Sequence, residues 1–201
     1  MVEPTASSLP PAMTDAEVGV VRECFSKAAS LVEFGGGGST VLAVGSPSLQ
    51  RIWSVESDPA WIARLREDAG VVAAERAGRL HLQAVDIGSV RDYGYPLDDS
   101  RRAAWPRYHE AVWEDPAACE ADLVLIDGRF RVACALAAIA RCRPHAVLLF
   151  HDFWNRTPYH PVLAFTDWLG SCDSLAILRR KPSFDQAKFD AVRQAYRMQP
   201  D

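Results

Sequence analysis

Five short apolar runs in this chain carry a carboxylate at or near their C-terminal end, and stretches with helical spacing separate them. Leu31 to Phe34 holds Glu33, two residues before Gly35. The run from Arg51 closes on Glu56, Leu80 onward on Asp86, and Ala121 onward on Asp127, while Asp152 follows Ala146 to His151. Near-continuous apolar strands alternating with helices indicate βαβ units in a mostly parallel sheet. In such a doubly wound α/β fold the parallel strands end on one edge, where ligands bind at the topological switch point. A single strand-end acid is commonly a helix cap. Five at matching positions describe an acidic crevice.

The remaining elements follow from spacing and punctuation. Thr14 with Glu17 has the form of a capping box and opens a helix from about Asp15 to Ser30. Gly35 to Gly38 break the first strand, and a helix can start on that turn at Ser39 to Val44. Asp58 to Asp68, Phe130 to Cys142, Pro161 to Leu169 and Phe184 to Arg197 read as helices. At the C-terminal side only Leu175 to Arg179 reads as a strand, so that edge of the sheet is expected to be trimmed or rearranged.

Residues 1–13, rich in Pro, Ser and Ala, read as a loose tail, and 14–201 as a single domain. An insertion at about 88–120 carries Trp105, Tyr108, His109 and Trp113. Connections of this length commonly serve a site, so it reads either as a lid or as a surface helix that buries its aromatics.

Composition excludes more than it identifies. The 201 residues include 22 basic and 26 acidic side chains, for a net charge of −4, which lacks the basic stripe of a nucleic-acid binder. No apolar run reaches the roughly 18–20 residues of a membrane span. The opening Met-Val-Glu-Pro-Thr has no basic or apolar signal region. Five cysteines without a CxxC pair fit neither a disulfide framework nor a zinc knuckle. The expectation is a cytoplasmic protein without nucleic-acid or membrane partners, with a homo-oligomer left open.

A crowd of acids suits a ligand with a cation, an ammonium group and ribose hydroxyls better than a bare pyrophosphate, which like charges repel. The residues that line up with this chemistry carry a resemblance. Leu31-Val32-Glu33-Phe34-Gly35-Gly36-Gly37-Gly38-Ser39-Thr40 resembles motif I of the class I S-adenosylmethionine-dependent methyltransferases, an acid two residues before Gly-x-Gly. Glu56, 21 residues beyond Gly35, matches the family's acid that holds both ribose hydroxyls, and Asp86 resembles its acid beside the adenine amine.

The resemblance spans about 31–152 and implies a Rossmann-like methyltransferase fold with S-adenosylmethionine as cofactor. It places Glu33 and the backbone near Gly35 and Gly37 at the amino-acid end of the cofactor, and Asp127 joins the same set. Ser39 replaces the motif's third glycine. A nicotinamide-dependent oxidoreductase is the natural rival, but its Gly-x-Gly-x-x-Gly fails in both registers, at Thr40 and at Val41.

At the reacting end, Asp127-Gly128-Arg129 and His151-Asp152 follow adjacent strands. They resemble small-molecule O-methyltransferases in which acids at these places hold a divalent cation, making Asp127 and Asp152 the ligands of a Mg²⁺ ion. Where such relatives often carry a further carboxylate, this chain has His151. Without metal, His151 is the candidate general base beside Asp152, since its ordinary pKa suits proton removal from a hydroxyl. Arg129 or Arg156 could attract an anionic acceptor. The expected activity is O-methylation of a small hydroxyl-bearing metabolite or sugar, and the alternative is a non-catalytic protein that binds S-adenosylmethionine or S-adenosylhomocysteine.

Overall fold

The computed structural model describes residues 9–201. Helix α1 (Asp15–Lys27) opens on the expected capping box: Thr14 Oγ1 accepts from Glu17 N at 3.2 Å, and Glu17 Oε2 accepts from Thr14 N at 2.9 Å. The helix stops at Lys27 because Ser30 already pairs in the sheet. β1 (Ser30–Phe34), α2 (Gly38–Val44), β2 (Arg51–Glu56), α3 (Pro59–Leu65), α4 (Ala69–Arg76) and β3 (Leu80–Ala84) form the first half. The long connection holds a two-stranded ribbon, β4 (Val90–Arg91) with β5 (Tyr95–Pro96), then the short helices α5 (Pro106–Glu110) and α6 (Pro116–Cys119). β6 (Leu123–Ile126), α7 (Arg131–Arg141), β7 (Val147–Phe150), β8 (Thr166–Cys172), β9 (Leu175–Arg180) and α8 (Gln186–Tyr196) complete the chain.

The main sheet runs β3-β2-β1-β6-β7-β9-β8, with the first five strands parallel and the last two antiparallel. Strand order reverses between β1 and β6, so the crevice expected of a doubly wound fold opens at their C-terminal ends. Alternation along the strands separates two cores. Val32, Phe34, Val124 and Ile126 pack on the side of α7, whereas Leu31, Leu125 and Leu149 pack on the side of α1 and α2. Glu33 shares the second face.

Three expectations are corrected. The sheet is not trimmed: β8 and β9 form a complete antiparallel hairpin. Pro161 to Leu169 is not a helix but a 3₁₀ segment, Thr157–Ala164, followed by strand β8. Pro158 and Pro161 shorten the helical stretch, and an edge strand with exposed Trp168 and Leu169 lacks the alternation of a half-buried one. Nor are residues 9–13 loose, since Leu9 is buried in the core and Met13 packs against it; residues 1–8 lie outside the described part.

In the connection, Trp105, Tyr108 and Trp113 are buried against Phe34 and Phe130, so its second half is core structure, whereas the ribbon half is largely exposed and sets Tyr93 and Tyr95 at the cavity. All five cysteines are free thiols. Among the described residues no helix is long and apolar enough to cross a membrane.

Candidate active site

The strand ends enclose a cavity of about 800 Å³, lined by the glycine turn, Glu56, Trp61, Tyr93, Tyr95, Tyr108, Asp127, His151 and Asp152, among others. Gly35 has φ +92°, a conformation open to glycine at little cost, and its main chain meets that of Gly128 so closely that neither position has room for a side chain. Above the turn, Trp61 Nε1 donates to Gly36 O at 2.6 Å.

Glu33 braces this turn from below. Its carboxylate is fully buried and accepts from the hydroxyls of Ser39 at 2.5 Å, Thr40 at 2.5 Å and Ser54 at 2.6 Å. Thr40 Oγ1 in turn accepts from Gly37 N at 2.9 Å. The sheet register sets this up, because Glu33 stands beside Ser54 on β2. Burial pushes the Glu33 carboxyl up to about 7 despite the three hydroxyls that favour its ionised form. Glu33 does not line the cavity; its place on the inner face gives both carboxylate oxygens to the chain's own hydroxyls.

Glu56 does line it. Oε1 accepts from the main-chain N–H groups of Ser57 at 2.6 Å and Asp58 at 2.8 Å, whereas Oε2 has no hydrogen-bond partner among the described residues. Burial raises its pKa against those two bonds. Asp86 behaves differently. It lies two residues beyond β3, accepts from Gly88 N at 2.9 Å and pairs with Arg101 at 2.5 Å on the exposed surface, outside the cavity lining. That ion pair and the turn it caps hold the carboxylate away from the crevice.

At the ends of β6 and β7 the side chains form one charged network. His151 Nδ1 lies 2.8 Å from Asp127 Oδ1, and Nε2 lies 3.3 Å from Glu17 Oε2. Burial alone lowers the His151 pKa, but the Asp127 hydrogen bond and charge, with those of Asp152 and Glu17, more than offset it and raise it. Two carboxylates on two ring nitrogens are both satisfied only when both nitrogens carry protons, so the pair favours the imidazolium, in the direction of the raised pKa. Glu17, despite burial, is brought down to about 2 by hydrogen bonds from Ser174 and Thr14 and by the His151 charge. Asp152 is also lowered: burial opposes this, but Arg131, His151 and Arg156 prevail.

Buried Arg131 spans the two strand-end acids, 3.3 Å from Asp127 Oδ1 and 3.3 Å from Asp152 Oδ2. Local backbone geometry makes that possible. Phe130 (φ 53°) and Asp152 (φ 58°) are left-handed, tolerable for Asp and costly for Phe, whose fully buried ring packs on Trp105 and Tyr108. With Phe130 unable to cap α7, the Asp201 side chain does so, accepting from Arg131 N at 2.8 Å and Val132 N at 3.3 Å.

Neither a family model nor a curated protein matches the chain at the sequence level. Solved structures do. A methyltransferase-like protein from Silicibacter pomeroyi superposes with a TM-score of 0.82 at 32% identity, over 96% of this chain and 98% of that one. The chain belongs to the class I S-adenosylmethionine-dependent methyltransferase family. An O-methyltransferase from Bacillus cereus, solved in complex with SAH, shares the methyltransferase fold with a TM-score of 0.51 at 12% identity, over 85% of this chain and 84% of that one.

Against the methyltransferase motifs, the structure brings Gly35, Gly37, Glu56, Asp127, His151 and Asp152 to one cavity and leaves Glu33 beneath it and Asp86 outside it. An organic cofactor with hydroxyls fits what is present: an open carboxylate oxygen on Glu56 and flat walls from Trp61, Tyr93, Tyr95 and Tyr108. Magnesium fits less well. Asp127, His151 and Asp152 each place one donor atom within 4.8 Å of the others, but Arg131 already holds the cationic position between the carboxylates, and the carboxylates around His151 favour its protonated, non-ligating form. A hard ion that favours oxygen ligands would have to displace both.

Sequence reasoning missed Glu17, Trp61, Arg131 and Asp201. Glu17 and Trp61 sit on helices with ordinary helical roles. Of these four, Arg131 carries a spacing signal: it stands four residues after Asp127, as Arg156 does after Asp152, and both pairs form.

Proposed function

We propose that the protein is an S-adenosylmethionine-dependent methyltransferase acting on a hydroxyl of a small metabolite or sugar. The observation that carries this reading is Glu56: one oxygen is fixed by two main-chain donors, and the other is left open to the cavity beside the glycine turn. A buried carboxylate with an open oxygen is a strong acceptor for ribose hydroxyls. The cofactor, when bound, supplies an electrophilic methyl group. The chain's residues then bind, orient and exclude water: Trp61 and the tyrosines flank the bound molecule, and Gly35 to Gly37 allow close approach of the main chain.

In-line methyl transfer gains much of its rate from alignment of donor and acceptor. His151 and Asp152 border the acceptor side. Protonated His151 cannot accept a proton, so a base role for it begins only above its raised pKa. The same observation favours the second reading, cofactor binding without transfer, because the network leaves no neutral base at lower pH.

Calorimetric titration with S-adenosylhomocysteine, S-adenosylmethionine and NAD tests the proposal. Both sulfur nucleosides are expected to bind, and at 100 times Kd each stabilises the fold by about 2.7 kcal/mol. Binding of NAD alone would overturn it. Release of S-adenosylhomocysteine from S-adenosylmethionine in the presence of hydroxyl-bearing acceptors separates transfer from binding.

A further inference from the structure

Three guanidinium groups, from Arg129, Arg131 and Arg156, border the β6–β7 end of the cavity, and they differ in what they have left to give. Arg131 donates to Gly128 O and His151 O and spans Asp127 and Asp152. Arg156 binds Asp152 at 3.0 Å and the Tyr159 hydroxyl at 3.3 Å. Arg129 stands apart. Only 5% exposed, it donates from Nη1 to the Asp201 main-chain oxygen at 2.8 Å, while its Nε is buried with no hydrogen-bond partner among the described residues. Its guanidinium lies 4.1 Å from the Tyr95 ring centroid, which fixes its plane.

Buried donors are nearly always paired. Arg129 Nε is sealed inside, like Arg143 Nε, so the group left to meet a ligand is Nη2, which has no hydrogen-bond partner among the described residues on a side chain that lines the cavity. The acids nearby do not supply one, since Arg131, Arg156 and His151 already engage Asp127 and Asp152. A planar guanidinium matches a planar carboxylate. We infer that Arg129 is a carboxylate-binding subsite of this cavity, reading either a hydroxy-acid acceptor or the amino-acid end of the cofactor. The inference rests on the proposed methyltransferase reading and narrows what the site binds.

The test uses the full chain and Arg129→Gln, with Arg129→Lys as a variant that keeps the charge, each checked for an unchanged folded spectrum. S-Adenosylhomocysteine and 5′-methylthioadenosine, which lacks the amino-acid portion, are titrated into each. A loss of tenfold or more for the first but not the second assigns the subsite to the cofactor carboxylate. If neither changes, the protein saturated with S-adenosylhomocysteine is titrated with 4-hydroxybenzoate and glycolate and with their neutral amides. Preference for the acids by tenfold or more, lost in Arg129→Gln and partly kept in Arg129→Lys, assigns it to the acceptor.

Equal binding of acids and amides, no acid binding at millimolar concentration, or a uniform loss for every ligand overturns the inference. Failure of both nucleosides to bind the unaltered protein instead overturns the methyltransferase proposal, and the acid titration on the unliganded protein then judges the subsite alone.

Discussion

Gly35 and Gly128 meet main chain to main chain: a Cβ on Gly35 would stand 2.5 Å from Gly128 Cα, and one on Gly128 would stand 2.1 Å from the Tyr108 hydroxyl. These two glycines follow β1 and β6, the central pair at which strand order reverses. Their contact brings the glycine turn against Asp127, and Tyr108 closes over the joint from the long connection.

Gly128→Ala is therefore expected to destabilise the protein by about 1–3 kcal/mol through overpacking. For a chain of this size that lowers Tm by roughly 2–4 °C per kcal/mol in a thermal melt. An unchanged melting curve would show that Tyr108 yields freely.

Glu56→Gln keeps an oxygen for Ser57 N and Asp58 N but places an amide where the open oxygen stands. Loss of a hydrogen bond to a charged group is worth about 1.5–3 kcal/mol, which predicts roughly a 10–100-fold weaker Kd for S-adenosylhomocysteine with little change in Tm. Calorimetry that finds equal affinities removes Glu56 from the cofactor site.

The raised Glu33 carboxyl gives a stability term of definite sign. Its folded pKa of about 7 exceeds the ordinary value of 4.5, so this stabilisation is full below pH 4.5 and is lost as pH rises through 7. Glu33→Gln does not titrate. The Tm difference between variant and parent should shift in favour of the variant between pH 4.5 and 7, and a difference flat in pH over that range contradicts the assignment.

His151 follows the same rule for a raised group: its contribution is full below 6.5 and lost as pH rises through the folded value. Glu17 runs the other way, with stability present above 4.5 and lost as pH falls towards 2. His151→Asn should remove the His151 share of the fall in stability above pH 6.5 and leave the share that comes from Glu33. If His151 is the base, transfer by the parent should rise with pH over that same limb, and a pH-independent rate assigns His151 to positioning.

The Arg131 bridge predicts that millimolar Mg²⁺ leaves the Tm of the parent protein unchanged. Arg131→Met, which leaves Asp127 to His151 and Asp152 to Arg156 but removes the cation between them, should lower stability by about 1.5–3 kcal/mol and recover part of it on addition of Mg²⁺. A clear Mg²⁺-dependent rise in the parent would show that the ion displaces the guanidinium.

Local sequence made the parallel strands, the capping box at Thr14 and the acidic edge legible, because hydrophobic period and turn chemistry are properties of neighbouring residues. The β8 strand escaped notice because an exposed edge lacks a clear period. Motif spacing put Glu33 and Asp86 in the crevice with Glu56, but spacing along the chain does not say which way a carboxylate points. For Glu33 the pleat turns it inward to three hydroxyls, and for Asp86 a local turn and Arg101 hold it outside.

The amino-acid sequence by itself determined the parallel strands, the acidic edge at their C-terminal ends and the family, since these depend on patterns repeated over many residues. Tertiary structure alone decided the charge state and partners of the site. Glu17 and Asp127 reach His151 from 134 and 24 residues away, and Asp201 caps α7 from 70 residues away. Pairings at such separations are set by how the helices pack on the sheet, and the pKa of each group follows from the neighbours that packing supplies.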